Sequence, residues 1–197
     1  MDYSTLKSRV QDAMGRTDVP TYVYELVTSD INRDLRVLDM QSTSTLSVTG
    51  EDTALPADFL EMISAYIDAS PRGVLVPATD DSLNYRHDSS GRPSMYAITS
   101  GNFRVMPVPD GTYSVPIRYY AKLANLSADA DTNAIMSTFP GIYIYGALRH
   151  AAVWAQDESM ASVYNQAFNE EMTLAKRSDL SRRSAGPMTR RPWVGGF

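Results

Sequence analysis

Apolar residues recur with a helical period at both ends of the chain and with a period of two in its middle. Between Tyr3 and Met14, Leu6, Val10 and Met14 return every four residues, and Gly15 follows as a stop. Asp18 suits an N-cap, with Pro20 in the first turn, where its missing N–H costs nothing. From there Val23, Val27, Ile31, Leu35 and Leu38 draw one apolar stripe, and Asp30, Arg33, Asp34 and Arg36 fall on the opposite side. This predicts an amphipathic helix with one buried face. The same period returns after Asp131. Pro140 opens a segment in which Ile144, Leu148, Ala151, Ala152 and Ala155 share a face, and residues 158–180 carry Tyr164, Ala167, Phe168, Met172 and Ala175 at helical spacing.

The middle reads differently. Gln41 to Thr49 is rich in Ser and Thr, with Leu46 and Val48 alternating as in a half-buried strand. Gly50-Glu51-Asp52-Thr53 reads as a turn, Met62 to Asp68 as a strand or short helix whose β-branched and aromatic content favours strand, and Gly73 to Val76 as a short strand. Thr79 to His87 has room for one or two helical turns capped by Thr79 or Asp80. Tyr96–Thr99 and Phe103–Met106 pair around Gly101. Asp110-Gly111 predicts a two-residue hairpin turn, with Thr112 to Lys122 as the return strand and Tyr113, Val115, Ile117 and Tyr119 on one face. Pro107, Pro109 and Pro116 lack the N–H that a central ladder uses, so at least one strand here is expected at a sheet edge.

These patterns predict an α+β fold. A helical bundle, two N-terminal and two C-terminal helices, forms from 1–40 and 132–180, with an antiparallel β-rich insertion at 41–128. Residues 1–180 make a single domain and 181–197 an extended arm, because Gly186, Pro187, Pro192, Gly195 and Gly196 break any helical stripe. No apolar run approaches the roughly 20 residues that cross a bilayer, and the first residues lack a secretory layout, so a soluble, non-secreted protein is expected.

Charge sharpens the picture. The net charge is −5, yet all 23 acids and all but four of the 18 cations precede position 181, a net of −9 for that stretch. The last 17 residues hold Arg182, Arg183, Arg190 and Arg191 and no acid. An acidic body is a poor polyanion binder, whereas a short basic arm suits an acidic partner. Trp193 and Phe197 in that arm cannot bury against Gly and Pro neighbours and have the chemistry of interface anchors.

Catalytic chemistry finds little support. The absence of cysteine excludes disulfides, thiolate metal sites and cysteine nucleophiles, and His87 and His150 are the two histidines. His87, Asp88, Ser89 and Ser90 are neighbours on one stretch, whereas triad members converge from separate elements; a polar turn is the plainer reading. Asp80, Asp81 and Asp88 lack the ligand spacing of a calcium loop, and no phosphate-cradling motif occurs. The expectation is no enzyme, no metal and no cofactor. The grouped Tyr119, Tyr120, Tyr143 and Tyr145 suit core or subunit-interface positions.

Several runs in order resemble one family. Arg33-Asp34-Leu35-Arg36 with Met40 and a Ser/Thr strand is followed by Leu55-Pro56-Ala57-Asp58-Phe59-Leu60-Glu61. Gly91-Arg92-Pro93-Ser94-Met95-Tyr96, Pro107-Val108-Pro109-Asp110-Gly111 and Tyr119-Tyr120 come next, then Phe139-Pro140 and Tyr143-Ile144-Tyr145-Gly146-Ala147-Leu148. Over roughly positions 20 to 180 the chain resembles the head–tail adaptor (connector) proteins of tailed bacteriophages. The resemblance implies a virion structural protein of the neck, assembled in the host cytoplasm as a ring, commonly a dodecamer. Such a ring binds the portal protein, carries a stopper, nozzle or tail tube, and prolongs the channel through which packaged DNA passes without sequence-specific binding. It also implies a portal-binding arm, here Arg182, Arg183, Arg190, Arg191, Trp193 and Phe197. The alternative is a small DNA-binding module acting through the basic arm; four phosphate contacts would give a log–log salt slope of about −3.6.

Overall fold

The first helix is bounded as its sequence dictates. The Asp2 carboxylate accepts the Thr5 N–H at 2.8 Å, and Gly15, at φ 62°, closes the other end. The computed structural model describes residues 1–84 and 90–184. In chain order the elements are α1 (Tyr3–Met14), α2 (Tyr22–Asp34), β1 (Gln41–Val48), β2 (Asp52–Ala54), β3 (Phe59–Ile67), β4 (Gly73–Val74), β5 (Val76–Pro77), α3 (Asp80–Asn84), β6 (Met95–Thr99), β7 (Asn102–Met106), β8 (Tyr113–Ala121), α4 (Ala134–Thr138), α5 (Pro140–Trp154) and α6 (Glu158–Ser184). The fold is mixed α+β, with six helices among the described residues and sheets that are antiparallel apart from the short β5–β6 pair. The chain divides into two compact units, one of residues 1–39 with 124 onward, the other of 40–123.

In the helical unit α5 packs on α1, α2, α4 and α6. At Gly146 that packing leaves no room for a side chain: a Cβ there would stand 2.8 Å from Val27 Cγ1 and 3.1 Å from the Phe168 ring. Val23, Val27, Ile31 and Leu35 are fully buried, as the stripe predicts. Two details differ. The helix begins at Tyr22, with Thr21 rather than Asp18 at the N-cap, because Asp18 instead pairs with Arg16 at 2.9 Å. Asp30, expected on the wet side, is 7% exposed, since it faces Arg149 and His150 of α5. At the chain's end α6 continues through Ser184, so residues 181–184, expected to be extended, are helical. The helix breakers begin only at Gly186.

The second unit is a pair of four-stranded sheets, ordered β1-β8-β3-β4 and β2-β7-β6-β5. Leu46, Val48, Ala65, Ile67, Phe103, Val105, Val115 and Ile117 form their common core. Leu83 of α3 packs with Ala97 and Met106 in a separate cluster. The Asp110-Gly111 hairpin does not occur: β7 pairs with β2 and β6, and β8 pairs with β1 and β3. The Pro107–Thr112 stretch therefore carries the chain from one sheet to the other. Pro116 likewise sits opposite Thr45 in the central strand β8, not at an edge. Asp52 and Thr53, expected within a turn, belong with Ala54 to β2, which pairs with β7.

Candidate interface surfaces

Three features of the helical unit bear on what the protein can do. The first is a clasp between the end of α6 and the segment after α2. Arg36 closes α2 by donating to the carbonyls of Asn32 (2.8 Å) and Leu35 (2.7 Å). Asp179, 3% exposed, accepts the Leu38 N–H at 2.6 Å and Arg183 Nε at 2.6 Å. Arg182 forks onto Asp39 with bonds of 2.8 and 2.9 Å, a bidentate pairing that fixes direction as well as charge. The Arg182 hydrogen bond and charge hold the Asp39 carboxyl below the usual carboxylate range. The last turn of α6 is thus tied to its own unit at two points.

The second is the cluster around Asp30. Its Oδ1 accepts Arg33 at 2.8 Å, while its Oδ2 meets His150 Nε2 at 2.7 Å and the Arg149 guanidinium. Arg149 also reaches Asn165 of α6 at 3.1 Å and lies 3.8 Å from the centre of the Phe168 ring. Burial works to raise the Asp30 carboxyl, but the His150 hydrogen bond and the Arg149 charge outweigh it, so Asp30 stays low and ionised. One carboxylate thereby holds α2 to α5, and through Arg149 to α6.

The third is apolar surface standing in water. Tyr22 and Leu26 are exposed on α2, Val153 on α5, and Met160, Val163, Leu174 and Leu180 on α6. A groove of about 420 Å³ runs between α5 and α6, lined by Arg149, His150, Val153, Ala161, Ser162 and Asn165.

Of the residues expected to bind a partner, Arg182 and Arg183 stand together at the end of α6, both engaged with carboxylates of their own unit. Arg190, Arg191, Trp193 and Phe197 lie outside the described residues, as do His87, Asp88 and Ser89. Asp80 is held by Arg104 at 2.8 Å, and Arg104 also binds Glu51. Among the described residues no three metal-ligating side chains gather. Hydrophobic patterning missed Asp30, Asp39 and Asp179, the acids that organise this surface. Only the Asp179–Arg183 spacing of four along a helix could have pointed to one of them.

Ion pairs at helix ends and apolar side chains left in solvent are the features this unit presents to a partner. The chain belongs to the SU10 adaptor protein family, whose model matches residues 1–191. It is accordingly a bacteriophage structural adaptor, a component of the virion neck that works among other head and tail proteins. No match to the curated proteins was found.

Proposed function

We propose that the chain is the subunit of a head–tail adaptor ring, a dodecamer that joins the portal vertex to the next neck or tail component and prolongs the DNA channel. The observation that carries this reading is the clasp at the end of α6. It gives a basic arm a fixed point of departure: Arg182 roots the helix on Asp39, and Asp179, braced by Arg183 one turn on, roots it on the Leu38 N–H. The 13 residues beyond Ser184 can then span at most about 45 Å toward a partner. Arg190, Arg191, Trp193 and Phe197 dock on the portal protein, arginine meeting acidic groups and the aromatic rings filling pockets. The acidic body suits a channel wall, because a lumen rich in lysine and arginine would hold the phosphates of passing DNA.

Mixing the purified chain with portal rings and imaging the product by electron microscopy tests this. A further ring stacked on the portal is expected, and chains ending at Ser184 should no longer attach. Attachment unchanged by that truncation would overturn the role of the arm; absence of any portal complex would overturn the reading itself.

A further inference from the structure

The outer face of α6 is unusual for a solvated helix. Between Ser159 and Leu174 ten positions are exposed: three are apolar (Met160, Val163, Leu174), and of the ten only Glu170 is charged. A soluble surface ordinarily carries about 25–35% charged residues, and depletion of charge marks the centre of a contact surface. The contrast lies within the same helix, since four of the next eight exposed positions, Lys176, Arg177, Arg182 and Arg183, are cationic.

Among the described residues the helical unit has one other place where large apolar side chains recur at helical spacing in solvent. On α2, Tyr22, Leu26, Ser29 and Arg33 make a single exposed row, with Tyr22 47% and Leu26 42% exposed and Glu25 beside them. The charges of the two faces complement each other. Glu25 adjoins Leu26 on α2, and Arg177 lies one turn beyond Leu174 on α6.

We infer that these two faces are the two halves of one seam, with α6 of one copy packing against α2 of the next. The inference rests on the ring reading above and names the surfaces that would close such a ring. Two different patches on one chain make a head-to-tail contact, which closes into a ring when the rotation between copies closes; a self-complementary patch would close a dimer. The α6 face is about 24 Å long and about 10 Å wide, well below the roughly 800 Å² per partner of a free-standing complex. The seam therefore forms on the portal, where effective concentration is high, and not between subunits in dilute solution.

The native chain contains no cysteine, so introduced thiols are unique. The test compares Leu26→Cys, Val163→Cys and the Leu26→Cys/Val163→Cys double variant, assembled on portal and treated with a short bis-maleimide. The double variant should give a ladder of covalent oligomers, and each single variant none. A companion, Val163→Asp/Leu174→Asp, should keep the parental melting temperature while ring occupancy on portal falls about tenfold or more. Rings that form without the ladder, or dimers from a single variant, would overturn the seam while leaving the ring intact. Absence of rings with the parental chain would overturn both.

Discussion

Replacing Asp30 by alanine removes the carboxylate shared by Arg33, Arg149 and His150. The Asp30 and Arg149 side chains are 11% and 15% exposed, so the lost partner leaves a largely desolvated guanidinium without its counter-charge. Breaking such a pair typically costs 3–5 kcal/mol. The Arg33 end is 66% exposed and adds little, which places Asp30→Ala near the lower bound, about 3 kcal/mol. For a chain of this length that lowers Tm by about 7 °C, followed by circular dichroism at neutral pH. The decisive arm is the double variant Asp30→Ala/Arg149→Met. Methionine keeps apolar contact with Phe168 and removes the stranded charge, so stability should return to within about 1 kcal/mol of the parent. An Asp30→Ala melt within a degree of the parent, or a double variant no better than the single, would refute the account of Asp30 as a buried counter-ion.

Other expectations follow from the same structure. Gly146→Ala should destabilise by about 1–2 kcal/mol in urea unfolding, because the crowding against Val27 and Phe168 outweighs the gain in helix propensity. Gly141→Ala should stay within about 0.5 kcal/mol, since its near neighbour is the swingable end of Glu171. Asp30 and Asp39 are both depressed in the folded state, so their stabilisation is complete above the unfolded value near 3.9 and drains away as pH falls through the folded values. Thermal melts from pH 7 to pH 2.5 should show this acid limb, and it should be flatter in Asp30→Asn. If DNA is bound at all through the arm, Arg182 and Arg183 are already engaged by carboxylates, leaving Arg190 and Arg191. Filter binding should then give a log–log salt slope no steeper than about −1.8; a slope near −3.6 would show all four arginines on phosphate.

What could be read from sequence followed how local the cause was. The bounds of α1 were legible because a three-residue stripe and Gly15 lie within a few turns of each other. The pairing of Phe103–Met106 with Tyr96–Thr99 was legible because a short turn at Gly101 leaves those strands little choice. Asp110-Gly111 misled for the same reason in reverse. Its turn chemistry is local, but β8 finds its partners about 70 and 55 residues earlier, in β1 and β3, and no local signal encodes that choice. Asp30 departs from its place on the polar side because patterning assigns every carboxylate to water, and only the three-dimensional position of Arg149 makes its burial tolerable. The helix outlasts the expected start of the arm because Ser181–Ser184 contain no breaker, the Gly- and Pro-rich composition beginning only at Gly186.

The helical unit is assembled from both ends of the chain, and that has a consequence for its synthesis. The apolar row of α2 is complete at residue 35, yet α5, which covers it, starts only at Pro140. At translation rates of about 5–20 residues per second, the nascent chain carries that sticky surface uncovered for roughly 5–20 s. Ribosome-bound chains stalled before residue 140 should accordingly be captured by chaperones, and chains released after residue 184 should not. Exposure of a core surface thus begins on the ribosome, long before the chain meets its neighbours in the neck.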